Sequence, residues 1–400
     1  MAQGDVRDVH AAAGNAALVA TLAAGNFAIG MGAFVVIGVL SPLAADLGMS
    51  TAAAGMVMTV YAIAYALMSP LLVSFTGGFD RRAVLIAALS LFLGSAVLSM
   101  LAPNAILLYA ARVLGALGAG MFTLVAASVV FSASPPERRG RALANVFVGM
   151  TLAQAFGLPV GSFVGYTFGW QAAFAVVVLL TALSLLLVIR HVPRGIAFQP
   201  TSLTTLASAL ADWRSVVSVL VTASFTASAY ILYTFVTPLF ESSMGLGRNG
   251  IALILVFYGA GAVAGSWSAG LVTDRVGPVA TLACVAIVQV AIMPFYSFLP
   301  LPFMALAILT FFWAMFGWSF MVPQQARLVR QTPHRQAVVL SLNAACIYVG
   351  ASLGSAAGGI AVARLGLDWL GIVGGIAMAL GVAHLFLSER LMAPRMAAHA

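Results

Sequence analysis

The sequence predicts an all-α polytopic membrane protein of about twelve transmembrane helices arranged as two related six-helix bundles. Three observations predict it. Of 400 residues, 62% are hydrophobic and only 7% charged, where a soluble domain carries roughly 25% charged residues. Apolar runs of about 20 residues, the length a helix needs to cross hydrocarbon, recur along the whole chain. Landmarks of the first half return in the second at an offset of about 195 residues, the mark of an internal repeat. The apolar runs do not alternate with polar residues, which argues for helices over the strands of a barrel.

The expected spans of the first half are residues 18–40, 51–74, 83–101, 105–131, 142–166 and 170–189. Those of the second are 215–238, 250–272, 279–298, 302–324, 337–361 and 369–388. The chain thus divides into a tail (1–17), a bundle (18–189), a linker (190–214), a second bundle (215–389) and a tail (390–400). The first apolar run is too long for the core of a signal peptide and has no clear basic region before it, so it reads as an uncleaved span.

Charge fixes the expected orientation. The net charge is +8, and all 18 cationic side chains are arginine. With the N-terminus in the cytoplasm, the inner segments hold Arg7, Arg81, Arg82, Arg138, Arg139, Arg141, Arg190, Arg194, Arg214, Arg275, Arg327, Arg330, Arg335, Arg390 and Arg395. The outer loops hold Arg248 and Arg364, and Arg112 lies inside a span. This asymmetry places both termini in the cytoplasm. The arginines form no stripe or arm, which excludes a nucleic-acid binder. Cys284 and Cys346 lie in apolar spans as small buried hydrophobes without metal-ligand spacing. No phosphate-binding loop is present, so ATP does not drive the protein.

The repeat is specific. Ser41-Pro42-Leu43 answers to Thr237-Pro238-Leu239, and Asp80-Arg81 to Asp274-Arg275. Gly157, Gly161 and Gly165 answer to Gly350, Gly354 and Gly358. Same-sense repeats imply two bundles related by an axis along the membrane normal, with the substrate path between them. In the linker, Leu203, Leu206, Leu210 and Trp213 keep helical spacing, as in an amphipathic interfacial helix or an irregular tether.

Three local sequences carry a family resemblance. The first is Gly77-Gly78-Phe79-Asp80-Arg81-Arg82, with its second-half copy Gly270-Leu271-Val272-Thr273-Asp274-Arg275-Val276-Gly277. A carboxylate at a helix start can cap free N–H groups, and the arginines can pair with Glu137. The second is span four, where Arg112 precedes Gly115, Gly118 and Gly120. A cation there is costly and normally faces a wet cavity or a partner, unless it snorkels to the outer interface. The third is span five, with Gly149, Gly157, Pro159 and Gly161. Glycines every fourth residue form a groove for a neighbouring helix, and the proline permits a bend. Together these resemble the major facilitator superfamily, and within it the twelve-span drug:proton antiporter family, in its arabinose-efflux-permease-like branch. The resemblance implies the major facilitator fold, a cytoplasmic lock built on Asp80, Arg81, Asp274, Arg275 and Glu137, a part for Arg112 in proton coupling, and export marked by the span-five motif. The branch often has a carboxylate in span one, where this chain has Ala33 in Gly30-Met31-Gly32-Ala33-Phe34. Asp46 and Glu241, just beyond spans one and seven, are the nearest acidic alternatives.

Span seven offers a candidate substrate-facing stripe, Thr222, Thr226, Tyr230, Tyr233 and Thr237, on one helix face. The threonines could equally serve as glue between helices. Asn26, Gln154, Gln289 and Asn343 are further deep polar candidates, and His384 reads as a snorkelling end residue. The resulting expectation is a monomeric secondary transporter of the inner membrane that exports small organic molecules in exchange for protons. It needs the lipid bilayer, a small organic substrate and protons as partners, and no cofactor, metal or nucleic acid. Sugar or nucleoside transport, inward permeation, a multispan enzyme and a non-transporting sensor are the rival readings. The orientation is testable: a C-terminal fluorescent protein should glow and a C-terminal alkaline phosphatase should be inactive, and the reverse pattern overturns it.

Overall fold

The computed structural model describes residues 2–135, 139–195, 212–333 and 335–397. Glu137 and the linker residues Leu203, Leu206 and Leu210 lie outside the described residues. Among those described there are helices and no strands. Twelve helices are long and apolar enough to cross a membrane. In the first half these are Ala16–Gly38, Thr51–Ser69, Arg81–Met100, Ala105–Ala133, Arg139–Phe168 and Trp170–His191, called spans 1 to 6. Trp213–Met244, Arg248–Val276, Pro278–Ser297, Phe303–Gln331, Val338–Leu365 and Leu367–Met392 are spans 7 to 12. An even number of crossings brings both chain ends to one side, the terminal face; the opposite side is the distal face.

The repeat seen in the sequence is a repeat of contacts. In span 5, a Cβ on Gly149 would stand 2.0 Å from the Ala23 carbonyl oxygen of span 1. One on Gly157 would meet Met31, one on Gly161 Val35, and one on Gly165 Val39. In span 11, the equivalent Gly350, Gly354 and Gly358 meet the backbone of span 7 at Ala223, Ala227 and Ile231. Each half therefore seats its fifth helix on its first by a row of glycines, against side chains at Gly157, Gly161 and Gly165 and against backbone at Gly149 and along span 11.

The prolines of the repeat act at equivalent places. A proline removes one helical N–H and crowds the carbonyl four residues earlier. Span 1 breaks between Gly38 and Leu40, four residues before Pro42. Span 7 breaks between Tyr233 and Val236, ahead of Pro238. In span 5 a π turn at Ala153–Gly157 precedes Pro159.

The halves meet along two helix pairs, span 2 with span 11 and span 5 with span 8. Apart from a side-chain hydrogen bond between Tyr65 and Tyr348 deeper in the interface, the hydrogen bonds between them gather at the distal ends. Thr237 donates to the Ile37 carbonyl at 2.7 Å, Tyr166 to Glu241 at 3.4 Å, and Arg248 to Thr167 at 3.2 Å. Among the described residues, spans 4 and 10 make no comparable contact on the terminal side. The distal ends are thus bonded to one another between the bundles, and no comparable contact joins spans 4 and 10 among the described residues.

Two sequence expectations need correction here. Asp80 does not cap its helix with its side chain. Its carboxylate instead accepts the Gly195 N–H at 3.0 Å, at the entry to the linker. Asp274 is not at a helix start but in the last turn of span 8, which ends at Gly277, a glycine with φ of 86° that a residue with a Cβ would adopt only under strain.

Close packing gives a direct test. Gly149→Val drives a side chain into the Ala23 carbonyl and should destabilise by about 1–3 kcal/mol, read as a lower melting temperature in detergent. Gly94→Val, with nothing within 4 Å of its Cβ position, should melt like the parent. Equal melting of the two variants would remove the glycine row from the account.

Candidate functional site

Arg112 is only 2% exposed. It donates to the carbonyls of Gly32 at 2.7 Å and Ala33 at 3.1 Å, both in span 1. Its guanidinium lies 4.3 Å from the ring centre of Tyr61. Carbonyl dipoles and a π face thus stabilise the cation at this depth, where no carboxylate among the described residues is within reach. Its Nε has no recorded partner. It neither snorkels nor opens onto the gap between the halves. Ala33, at the position where the resembled branch carries an acid, supplies its backbone carbonyl instead.

In front of Arg112 stands an aromatic cluster. Tyr61 and Tyr65 of span 2 lie 6.3 Å apart, and Tyr65 stacks on Tyr348 of span 11 at 3.5 Å. Tyr230 and Tyr233 of span 7, Tyr258 of span 8 and Trp313 of span 10 form the second-half wall, with Tyr233 stacked on Tyr258 at 5.1 Å. Trp318 donates to the Tyr258 hydroxyl at 3.0 Å. Sequence reasoning singles out Tyr230 and Tyr233 but not Tyr61, Tyr65, Tyr258 or Tyr348. The spacing of Tyr61 and Tyr65 by four is the signal that could have found the first two.

The other polar candidates part company. Asn26 donates to the Val146 carbonyl at 3.1 Å and accepts from Thr123 at 3.0 Å, so it ties spans 1, 4 and 5 together. Thr222 donates to Asn343 and accepts from Gln324, all three buried in the second bundle. Thr226 donates to the Thr222 carbonyl of its own helix. Gln289 donates to the Trp313 carbonyl. Gln154, on the π turn of span 5, keeps a buried side-chain oxygen without a recorded partner. The adjacent Ala155 carbonyl, the one a proline four residues on cannot serve, faces Gly259 of span 8, where a Cβ would stand 2.2 Å away.

A second buried arginine corrects the sequence expectation, which ends span 10 early and leaves Arg327 in a loop. The helix Met321–Gln331 continues, and Gln324, Arg327 and Gln331 recur on its inward face. Arg327 is 1% exposed and pairs with Glu389 of span 12 at 2.5 Å. It also donates to the Ser218 carbonyl, Gln324 and Ser388. Gln331 donates to the same carboxylate at 2.7 Å. His384 does not snorkel either: it joins span 12 to span 7 through the Val217 carbonyl at 3.0 Å and Ser224 at 2.8 Å.

At the distal face, Asp46 accepts from Trp170 at 2.8 Å and Gln171 at 2.9 Å, so it joins spans 1 and 6 within one half. Glu241 instead receives Tyr166 from the other half. At the terminal face, Arg81 donates to the Gly77 carbonyl at 2.9 Å and Arg82 to that of Ile189. Asp274 and Arg275 are exposed at the end of span 8. The structure does not bring the two loop motifs together.

Residues 22–354 match the Major Facilitator Superfamily. The inner membrane transport protein YdhP of Escherichia coli (strain K12) is 30% identical over 372 residues, covering 92% of this chain and 95% of that one. The uncharacterized MFS-type transporter YbcL of Bacillus subtilis (strain 168) is 25% identical over 356 residues, covering 88% and 91%. Among solved structures, a bacterial homologue of the human lysosomal transporter Spinster, in an inward-facing and unoccupied conformation, superposes with a TM-score of 0.77 at 16% identity, covering 95% and 98%. A single-residue mutant of the nucleoside transporter NupG gives 0.76 at 14%, covering 94% and 99%.

The Arg327–Glu389 pair generates a stability prediction. Glu389→Leu leaves a buried guanidinium short of its counter-charge. The cost should be about 1–3 kcal/mol, below the roughly 3–5 of a fully buried pair because Glu389 is 26% exposed. Adding Arg327→Met should recover most of the melting temperature, while Asp274→Asn should leave it unchanged. A Glu389→Leu protein that melts like the parent would show that the pair contributes nothing.

Proposed function

The chain belongs to the Major Facilitator Superfamily, and we propose that it exports small organic molecules across the inner membrane in exchange for protons, as a monomer with both termini in the cytoplasm. That it is a multi-pass membrane transporter and not an enzyme follows from the family and its relatives. The observation that carries the finer reading is the division of contacts between the bundles. The distal ends are bonded to one another through Thr237, Glu241 and Arg248, while spans 4 and 10 share no comparable contact on the terminal side among the described residues. With the terminal face in the cytoplasm, this is the inward-facing member of an alternating pair, and rocking the bundles gives the other. Export rather than import is supported by the span-five motif, whose Gly149, Gly157 and Gly161 seat on span 1 and whose Pro159 follows a π turn.

In this reading Tyr230, Tyr233, Gln154 and Thr226 border the substrate chamber, while Asn26, Thr222 and Asn343 hold the helices behind it. Arg112 acts as a fixed cation, because an arginine side chain does not release its proton near neutral pH. Glu241 is the favoured proton carrier among Asp46, Glu241 and Asp80, since its bond to Tyr166 must break when the distal ends part. Asp80, at the linker entry, braces the terminal face together with Arg81.

The test begins with a thermal-shift screen of drugs, sugars and nucleosides on the purified protein. In everted vesicles a hit should accumulate when respiration is energised and leak out on adding an uncoupler. Arg112→Ala should lose this accumulation and Arg112→Lys should keep part of it. Transport by Arg112→Ala at the parent rate, still collapsed by the uncoupler, would place coupling elsewhere, and accumulation indifferent to the uncoupler would remove proton exchange altogether.

A further inference from the structure

The stacked pair Tyr65–Tyr348 differs from the other close stacks described. Phe225–Phe320 at 3.9 Å and Tyr233–Tyr258 at 5.1 Å each lie within the second bundle. Tyr65 and Tyr348 belong to opposite halves, with ring centres 3.5 Å apart and planes inclined by 19°. A stack inside one bundle is part of its core. A stack between two bundles that rock can open without unfolding either, and a flat guest ring can take the place of one partner. Tyr348 is partly exposed while Tyr65 is buried.

The charge around this pair is one-sided. By sequence the ten acidic residues fall in the N-terminal tail, at the ends of spans or in the loops, and among the described residues none lies at the depth of the tyrosines. Arg112 lies 4.3 Å behind the Tyr61 ring, which is 6.3 Å from Tyr65. Its charge is met by carbonyl dipoles and the Tyr61 ring and by no carboxylate among the described residues, so a net positive charge remains one ring away from the stack. The Tyr61 hydroxyl is buried with no recorded partner, an available donor on the same wall. Tyrosine cages can attract cations through their ring faces. Here the ring face of Tyr61 is already occupied by Arg112, and no carboxylate offsets the repulsion a second cation would meet.

We propose that the chamber takes a planar aromatic molecule that carries a carboxylate or neutral acceptor groups and no positive charge, seated by replacing the Tyr65–Tyr348 stack. The inference rests on the reading of the space between the bundles as the substrate path. It does not depend on proton exchange.

Equilibrium binding to the purified protein in nanodiscs tests it, with four probes: 2-naphthoate, 2-naphthylmethanol, 2-naphthylmethylammonium and cyclohexanecarboxylate. The naphthoate and the alcohol should bind at least about tenfold more tightly than the ammonium compound and the saturated acid. Tyr65→Ala and Tyr348→Ala should each weaken naphthoate by about tenfold or more, while Tyr65→Phe and Tyr348→Phe stay near the parent value. Tyr109→Ala, whose hydroxyl bonds to Ala53 within the first half, serves as the control and should bind normally. Equal or tighter binding of the ammonium compound overturns the charge rule. Equal binding of the saturated acid, or parent-like binding by alanine variants that melt normally, overturns the seat. If no probe binds while another compound is still exported from vesicles, this inference falls and the transport reading stands. Binding of naphthoate with no export of any compound does the reverse.

Discussion

In hydrocarbon, apolar side chains gain nothing by leaving lipid for one another, so helices adhere by closeness of approach. The glycine rows of spans 5 and 11 supply that closeness. They let Ala23 and Ala227 present carbonyl oxygens where any Cβ would collide. Much else depends on this seating. It sets spans 1 and 7 at the axis of each half, and so presents the Gly32 and Ala33 carbonyls to Arg112 and the Tyr230–Tyr233 face to the partner bundle. The same device used twice explains why the halves share a contact pattern although few of their other residues agree.

Spans 4 and 10, the equivalent helices of the repeat, each bury an arginine, Arg112 and Arg327, besides Arg81 at the start of span 3. The solutions differ in sign. Arg327 receives the Glu389 carboxylate and a shell of serine and glutamine, so its surroundings are close to neutral. Arg112 receives only dipoles and a ring, so its charge is not neutralised by a carboxylate among the described residues. A paired arginine at a helix end stabilises a bundle, whereas an arginine without a carboxylate partner keeps a positive potential in the rings beside it. The two bundles thus share a scaffold and divide the roles of anchor and field source.

The spans, the repeat and the glycine rows were legible in the sequence because each is a local pattern: apolar length, fixed offset, spacing by four. Arg112 was legible as a costly charge, but not its partners, since backbone carbonyls leave no trace in residue type. Arg327 was misplaced because hydropathy alone ends a span at the first polar residues, and Gln324 marked that edge. Only the bundle shows that these polar side chains point inward, towards Ser218 and Glu389. Asn26, Thr222 and Asn343 looked like substrate contacts because a polar residue in a span reads the same whether it meets a ligand or a neighbouring helix. The Tyr65–Tyr348 stack joins residues nearly the whole chain apart, and no spacing rule reaches that far.

The contact of Ala155 with Gly259 lies near mid-membrane, on helices of opposite halves, and nothing softer than backbone separates them. Such a point behaves as a fulcrum. The helix Arg248–Val276 has arms of about 16 Å and 26 Å on its two sides at 1.5 Å per residue. A tilt of roughly 10° would swing its two ends by about 3–5 Å in opposite senses. A see-saw cannot lower both ends at once. If the bundles do rock about this point, the protection against an open pore, and against the collapse of the membrane potential that would follow, resides in one missing methyl group.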